Sequence, residues 1–274
     1  MVKIVSSRSR LCAIHRCGRA ASVALLFVVV LLTQAARASA DDIVVMTSGA
    51  FTAAYLELSE QFSRTTGHRF ITATTTMGVG RESIPNRLAA GEPADLVIVA
   101  AAALESLIGQ GHVIRGTRLD LAKSSIALAV RDGSAVPDIS SVAALRTALL
   151  RAKSVAYSAS VSGDYLASTL FPRLGIAEEM KTKGQRIERE PVGAVVARGE
   201  AELGFQQVSE LRPIQGIHII GLLPPEVQLV TVFSAGVAAH STRPDVVREF
   251  LAFLATPAAQ AVVVKTGLES LDGR

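Results

Sequence analysis

The sequence predicts an α/β protein whose parallel sheets carry helices on their faces. Short runs of β-branched residues recur along the chain, each about the length of a buried strand. Between them, apolar residues return at helical spacing. The order is β-α-β-α-β, and parallel strands need crossovers of this kind.

Ile43-Val44-Val45-Met46-Thr47 opens the series as a buried strand. Phe51, Tyr55, Leu58 and Phe62 then fall on one helical face, and Gly67 follows as a C-cap. Phe70 to Thr76 reads as the second strand. A loop with Gly78 and Gly80 leads to a short helix ending near Gly91. Asp95 to Val99 is the third strand, and a helix over 101–110 stops at Gly111. The apolar run Ser125-Ile126-Ala127-Leu128-Ala129-Val130 begins a second alternating set. It contains helices at 141–151, 164–174 and 192–198, and strands at 154–157 and 202–206. Residues 227–239 are β-rich. Helices over 244–255 and 257–264 close the chain, each with Pro in its first turn, and Thr256 is placed to cap the second.

The N-terminus reads as a secretory signal peptide over residues 1–40. It carries six basic residues and no acid, a 13-residue apolar run from Ala20 to Leu32, and Ala38-Ser39-Ala40 before Asp41. The apolar run is too short for a spanning helix, which needs about 20 residues. Without residues 1–40 the chain has 22 Lys and Arg against 24 Asp and Glu, a formal charge of −2. The basic character therefore belongs to the leader and implies no nucleic-acid partner. Both cysteines, Cys12 and Cys17, lie in the leader as well. A periplasmic location and a monomer are expected.

Enzyme signatures are sparse. There is no P-loop and no G-x-S-x-G elbow. His68, His112, His218 and His240 are scattered without zinc spacing, so no metal or cofactor is expected. With no Trp, a stacking surface for bases or sugars is not expected.

The sequence does place small polar residues where strands end, which is where open α/β sheets bind ligands. Ser48, Gly49 and Ala50 join the first strand to the first helix. They suit an anion at a helix N-terminus, or Ser48 is an ordinary N-cap. Thr75, Thr76 and the glycines up to Arg81 form a second junction, with Arg81 a possible carboxylate clamp or a solvated surface residue. Ser160, Ser162 and Gly163 form a third, followed by Asp164, which is expected to face outward. Gln206 and Gln207 end a fourth strand as amide donors or as a polar turn.

Asp42-Ile43-Val44-Val45 with Ser48-Gly49-Ala50, the segment from Gly91 to Ile98, and the segment from Arg198 to Gly204 resemble the bacterial molybdate-binding-protein-like family. The resemblance runs over residues 41–271. It implies a type 2 periplasmic binding fold of two α/β lobes with a ligand cleft between them. Lobe 1 would be 41–124 plus 237–274, and lobe 2 would be 125–236. It also implies that Ser48, Thr75, Thr76, Ser160, Ser162 and Gly163 lie in anion-binding loops. The chain departs from the family in carrying Gln207 where molybdate binders place a ligand-contacting Tyr.

A second likeness, over Gly204 to Leu211 and Pro224 to Gln228, is to a sub-branch that includes a periplasmic aconitate isomerase. Two functions follow. One is a receptor for a small anion, an oxyanion such as molybdate or a carboxylate, serving an ABC permease. The other is aconitate isomerisation in the same cleft, which needs a base. Glu82, Tyr157 and Glu210 are the candidates.

Overall fold

A computed structural model describes residues 40–47, 49–73 and 80–271. The expected leader, apart from Ala40, lies outside the described residues.

β1 (Asp42–Thr47) pairs in parallel with β2 (Arg69–Ala73) and with β3 (Leu96–Ala100). β4 (Leu119–Arg131) is much longer than the expected run and begins six residues earlier. The second set supplies β5 (Val155–Ser158), β6 (Gly184–Ile187), β7 (Leu203–Gln207) and β8 (Ile217–Leu222). β9 (Val230–Val237) lies within the expected β-rich stretch. The strand path is β2-β1-β3-β9-β4-β7-β5-β6, with β8 also pairing β4.

The helices are α1 (Thr52–Thr66), α2 (Ile84–Ala89), α3 (Ala101–Gly109), α4 (Val142–Arg151), α5 (Val161–Tyr165), α6 (Phe171–Arg173) and α7 (Ala177–Lys183). α8 (Val192–Ala197), α9 (Val208–Leu211), α10 (Pro244–Leu254) and α11 (Pro257–Lys265) complete the described set. α5, a π-helical turn at Leu166–Leu170 and α6 run on without a break.

β4 serves two sheets. From Leu119 to Ser125 it pairs antiparallel with β9, and from Ile126 onward with β7 and β8. At the change of partner, the Gln228 amide adds to the pairing of β4. Its Oε1 accepts from the Ile126 N–H and its Nε2 donates to the Ile126 carbonyl, both at 2.9 Å. A central strand thus keeps its backbone groups paired where its neighbour ends.

Each sheet has its own apolar core. In the first, the helical face read from the sequence is buried: Phe51, Tyr55, Leu58 and Phe62 all pack inward. Phe62 meets Phe250 of α10 edge-on at 5.2 Å between ring centroids, a contact worth about 0.5–1.5 kcal/mol beyond its buried area. α1 ends as expected, with Gly67 in the left-handed region at φ 83°. Thr256 accepts from the Ala259 N–H as the cap of α11. The second core gathers Leu145, Leu149, Leu166, Phe171 and Phe205 around β5 and β7.

Asp95 explains the Gly-x-Pro-Ala-Asp segment. It is buried, and Oδ2 accepts from the Val44 N–H at 2.9 Å. Oδ1 accepts from the Ser241 hydroxyl at 2.7 Å and from the Thr242 N–H at 3.0 Å. One carboxylate therefore ties β1, β3 and the segment before α10 together.

Candidate functional site

The carboxyl ends of β1, β5 and β7 open on one cleft of about 610 Å³. Thr47, Gly49 and Ala50 line it from the first sheet, and Ser158, Ser160, Gln206, Ser209 and Glu210 from the second. The 3₁₀ turn Gly49–Phe51 packs against α9 across it. Gly49 has φ 75°, and a Cβ there would come within 3.0 Å of the Phe233 ring. Only glycine allows this tight approach of the backbone.

Three hydroxyls form a triangle at the end of β5. Ser158 Oγ lies 2.7 Å from Ser160 Oγ and 3.2 Å from Ser162 Oγ, and the last two are 3.3 Å apart. Ser160 is the N-cap of α5 but makes no side-chain cap bond. Its hydroxyl is thus committed to the triangle, which can reorient its hydrogens toward an anion. The triangle depends on Gly163, where a Cβ would fall 1.6 Å from the Ser158 carbonyl oxygen. The next residue, Asp164, is exposed and paired with Arg186 at 2.7 Å.

The end of β7 carries a carboxyl. Gln206 is buried; its Oε1 accepts from the Val192 N–H at 2.9 Å and its Nε2 donates to Glu210 Oε1 at 3.1 Å. Glu210 stands at the third position of α9, where the N–H of Gln207, the N-cap residue, favours its charged form. Its Oε2 has no accessible surface and no hydrogen-bond partner among the described residues, and the same holds for the Ser209 hydroxyl. Burial pushes the Glu210 carboxyl up to about 7, against the two hydrogen bonds that pull it down.

The expected residues divide accordingly. Gly49, Ala50, Ser160, Gln206 and Glu210 line the cleft, while Ser162 and Gly163 support its wall from behind. Ser48, Thr75 and Thr76 lie outside the described residues. Arg81 and Glu82 are exposed and are not part of the lining. Tyr157 turns the other way, edge-on to Phe171 at 5.7 Å in the second core.

The two glutamines do not act as a pair. Neighbours on a strand point to opposite faces, so Gln207 is directed toward the β4–β9 junction and away from the cleft. With its oxygen accepting from Thr231 at 3.2 Å, its nitrogen donates to the Ser124 hydroxyl at 2.9 Å. Ser158 and Ser209, within the polar strand-end segments read from the sequence, also line the cleft, and so does Arg189, which the sequence did not single out. Arg189 follows β6, a strand the sequence did not suggest.

Comparison with known proteins places this geometry. The family model for bacterial extracellular solute-binding proteins matches residues 43–269. An aconitate isomerase from a Pseudomonas species is 42% identical over 231 residues, which cover 84% of this chain and 88% of that protein. The periplasmic molybdate-binding protein of Azotobacter vinelandii superposes with a TM-score of 0.66 at 22% identity, covering 82% of this chain and 98% of the other. A sulfate-binding protein of Mycobacterium tuberculosis H37Rv gives a TM-score of 0.66 at 17% identity, covering 85% and 88%. The fold is the type 2 periplasmic binding fold, as the resemblance implied. The chain belongs to the bacterial extracellular solute-binding protein family.

Proposed function

We propose that this protein binds aconitate in the cleft and interconverts its cis and trans isomers by moving a proton. The observation that carries this reading is the buried Glu210 carboxyl on the cleft wall, with one oxygen unpartnered and its pKa raised to about 7. A group of that kind can both take and return a proton near neutrality. A purely anion-holding wall has no need of it. The 42% identical relative supports the same reading.

The chemistry is balanced within the substrate. Aconitate has a CH₂ group, a central carbon and a CH group joined by a double bond to the centre. Glu210 takes a proton from the CH₂ carbon, and the electron pair moves to form the new double bond there. The former π pair moves to the CH carbon, and the geometry of the new double bond is set by how the CH₂ arm is turned about its single bond when the proton leaves. Glu210 returns the proton to the other terminal carbon. One C–H bond breaks and one forms, with no net change in atoms or electrons. The serine triangle on the cleft wall offers hydroxyl donors that suit a carboxylate.

The family match supports a second reading, a periplasmic receptor that delivers a small anion to an ABC permease. In both readings the ligand sits in the cleft, after export and removal of residues 1–40. Proton NMR of the purified protein with trans-aconitate separates them. Growth of the cis-aconitate signal, absent with Glu210→Gln, supports the isomerase. Saturable binding without any change in the isomer ratio supports the receptor.

A further inference from the structure

We infer that Arg189 forms a second anion subsite in the cleft, one that selects carbon chains with two or more carboxylates over single oxyanions. The inference rests on the reading that the cleft takes a carboxylate anion, and it names the feature that would set the class of that ligand.

Three parallel strand ends stand side by side. β5 is parallel to β7, with Tyr157 opposite Phe205, and parallel to β6, with Ser158 opposite Ile187. The Ala159 N–H continues this contact, donating to the Ile187 carbonyl at 2.9 Å. The residues that leave these ends therefore line up in order: Glu210 beyond β7, the serine hydroxyls beyond β5, Arg189 beyond β6. Neighbouring strands are about 4.8 Å apart, so the outer two ends are separated by roughly 10 Å of backbone. A tetrahedral oxyanion on the serines cannot bridge that row. A short carbon chain with carboxylates along it can.

The charges around Arg189 are arranged to leave it available. Glu188 pairs with Arg186 at 3.3 Å, and Glu190 pairs with Arg198 at 2.9 Å. Arg186 and Arg198 also hold Asp164 and Glu200, each at 2.7 Å. Both acids beside Arg189 in sequence also border the cleft, and each is paired with an arginine other than Arg189. Among the described residues, Arg189 has no ion pair or hydrogen bond and is the one cation in the cleft lining. Its guanidinium offers a planar fork that matches a carboxylate.

Titration calorimetry on the purified protein tests this with two probes. Tricarballylate is the saturated tricarboxylate, which has no double bond to shift, so its binding is independent of turnover. Sulfate is the single oxyanion. Arg189→Gln should weaken tricarballylate by about ten- to a hundredfold, the loss of a hydrogen-bonded charge contact. Arg189→Lys should recover only part, because it restores the charge without the fork. Sulfate affinity should change less than twofold, and sulfate too weak to detect on all three proteins equally agrees with the subsite. Unchanged tricarballylate affinity in Arg189→Gln overturns the subsite, as does an equal loss for both probes or no tricarballylate binding by the parent protein. A selective loss in a protein that does not turn over aconitate keeps the subsite and removes the isomerase. Turnover with an unaffected Arg189→Gln variant does the reverse.

Discussion

Gln206 holds Glu210 by one oxygen. Its Oε1 is taken by the Val192 N–H at 2.9 Å, so its amide cannot turn over, and its Nε2 must face Glu210 Oε1, 3.1 Å away. One carboxyl oxygen is therefore fixed, and the other is left without a partner among the described residues.

The first prediction concerns Glu210. Its pKa is raised from 4.5 to about 7, so the carboxylate needed as a base accumulates only as pH rises through that value. Aconitate turnover should rise through a single ionisation near pH 7 and plateau above it. Glu210→Gln should reduce kcat by about 10²–10⁴-fold and leave tricarballylate affinity within a few fold. Stopped assays between pH 5 and 9 measure this.

The same shift sets a stability trend. A raised folded-state pKa means that the proton is bound more tightly in the folded chain than in the unfolded one. The stabilisation is complete below about pH 4.5 and is lost as pH rises toward 7. The size is roughly 3 kcal/mol for a shift of this order. Glu210→Gln, which imitates the protonated group, should raise Tm at pH 8 and change it little at pH 4.5. Calorimetric melts at the two pH values check the sign.

Gln206→Leu removes the donor that favours the Glu210 carboxylate and leaves the buried Val192 N–H unpaired. Stability should fall by about 1–3 kcal/mol. The acid limb of the pH–rate profile should move to higher pH, which a purely structural loss would not produce. Carbon-13 NMR of the Glu210 carboxyl reads the shift directly, with or without turnover.

Gly163→Ala tests the serine triangle. Its Cβ would fall 1.6 Å from the Ser158 carbonyl oxygen, a backbone atom with no rotamer to change. The helical run from α5 must move, and the three hydroxyls with it. We expect a loss of several kcal/mol, at the upper end for single substitutions, and loss of anion binding in the fraction that folds. Chemical denaturation and calorimetry measure the two effects.

Asp95→Ala strips the acceptors from two backbone N–H groups and a hydroxyl in one place. A cost of about 3 kcal/mol or more is expected from the unpaired groups. Denaturant melts give the value, and Asp95→Asn should lose less because one carbonyl remains.

Much of the architecture could be read from spacing alone. The face of Phe51, Tyr55, Leu58 and Phe62 was visible because one stripe of α1 meets one sheet. β6 was not, because Gly184-Gln185-Arg186-Ile187 is an edge strand held by the backbone of β5 and has little apolar pattern. β8 escaped for a related reason, with side chains only partly covered. The polar loops at the strand ends were legible as places, since a small polar run after an apolar strand stands out. Their roles were less so. Whether Gln206 or Gln207 faces the cleft depends on the pleat. The state of Glu210 depends on burial by residues far away in sequence. Arg189 lies within Glu188-Arg189-Glu190, a pattern indistinguishable from a solvated loop until both acids are seen paired elsewhere.

The place of β9 between β3 and β4 has a consequence for the order of assembly. Its residues, Val230–Val237, are the last strand to leave the ribosome. The second sheet has all its strands once β8 ends at Leu222. Until β9 emerges, facing edges of β3 and β4 are bare, and bare edges recruit foreign strands. β1, the earliest strand among the described residues, thus belongs to the sheet that is completed last.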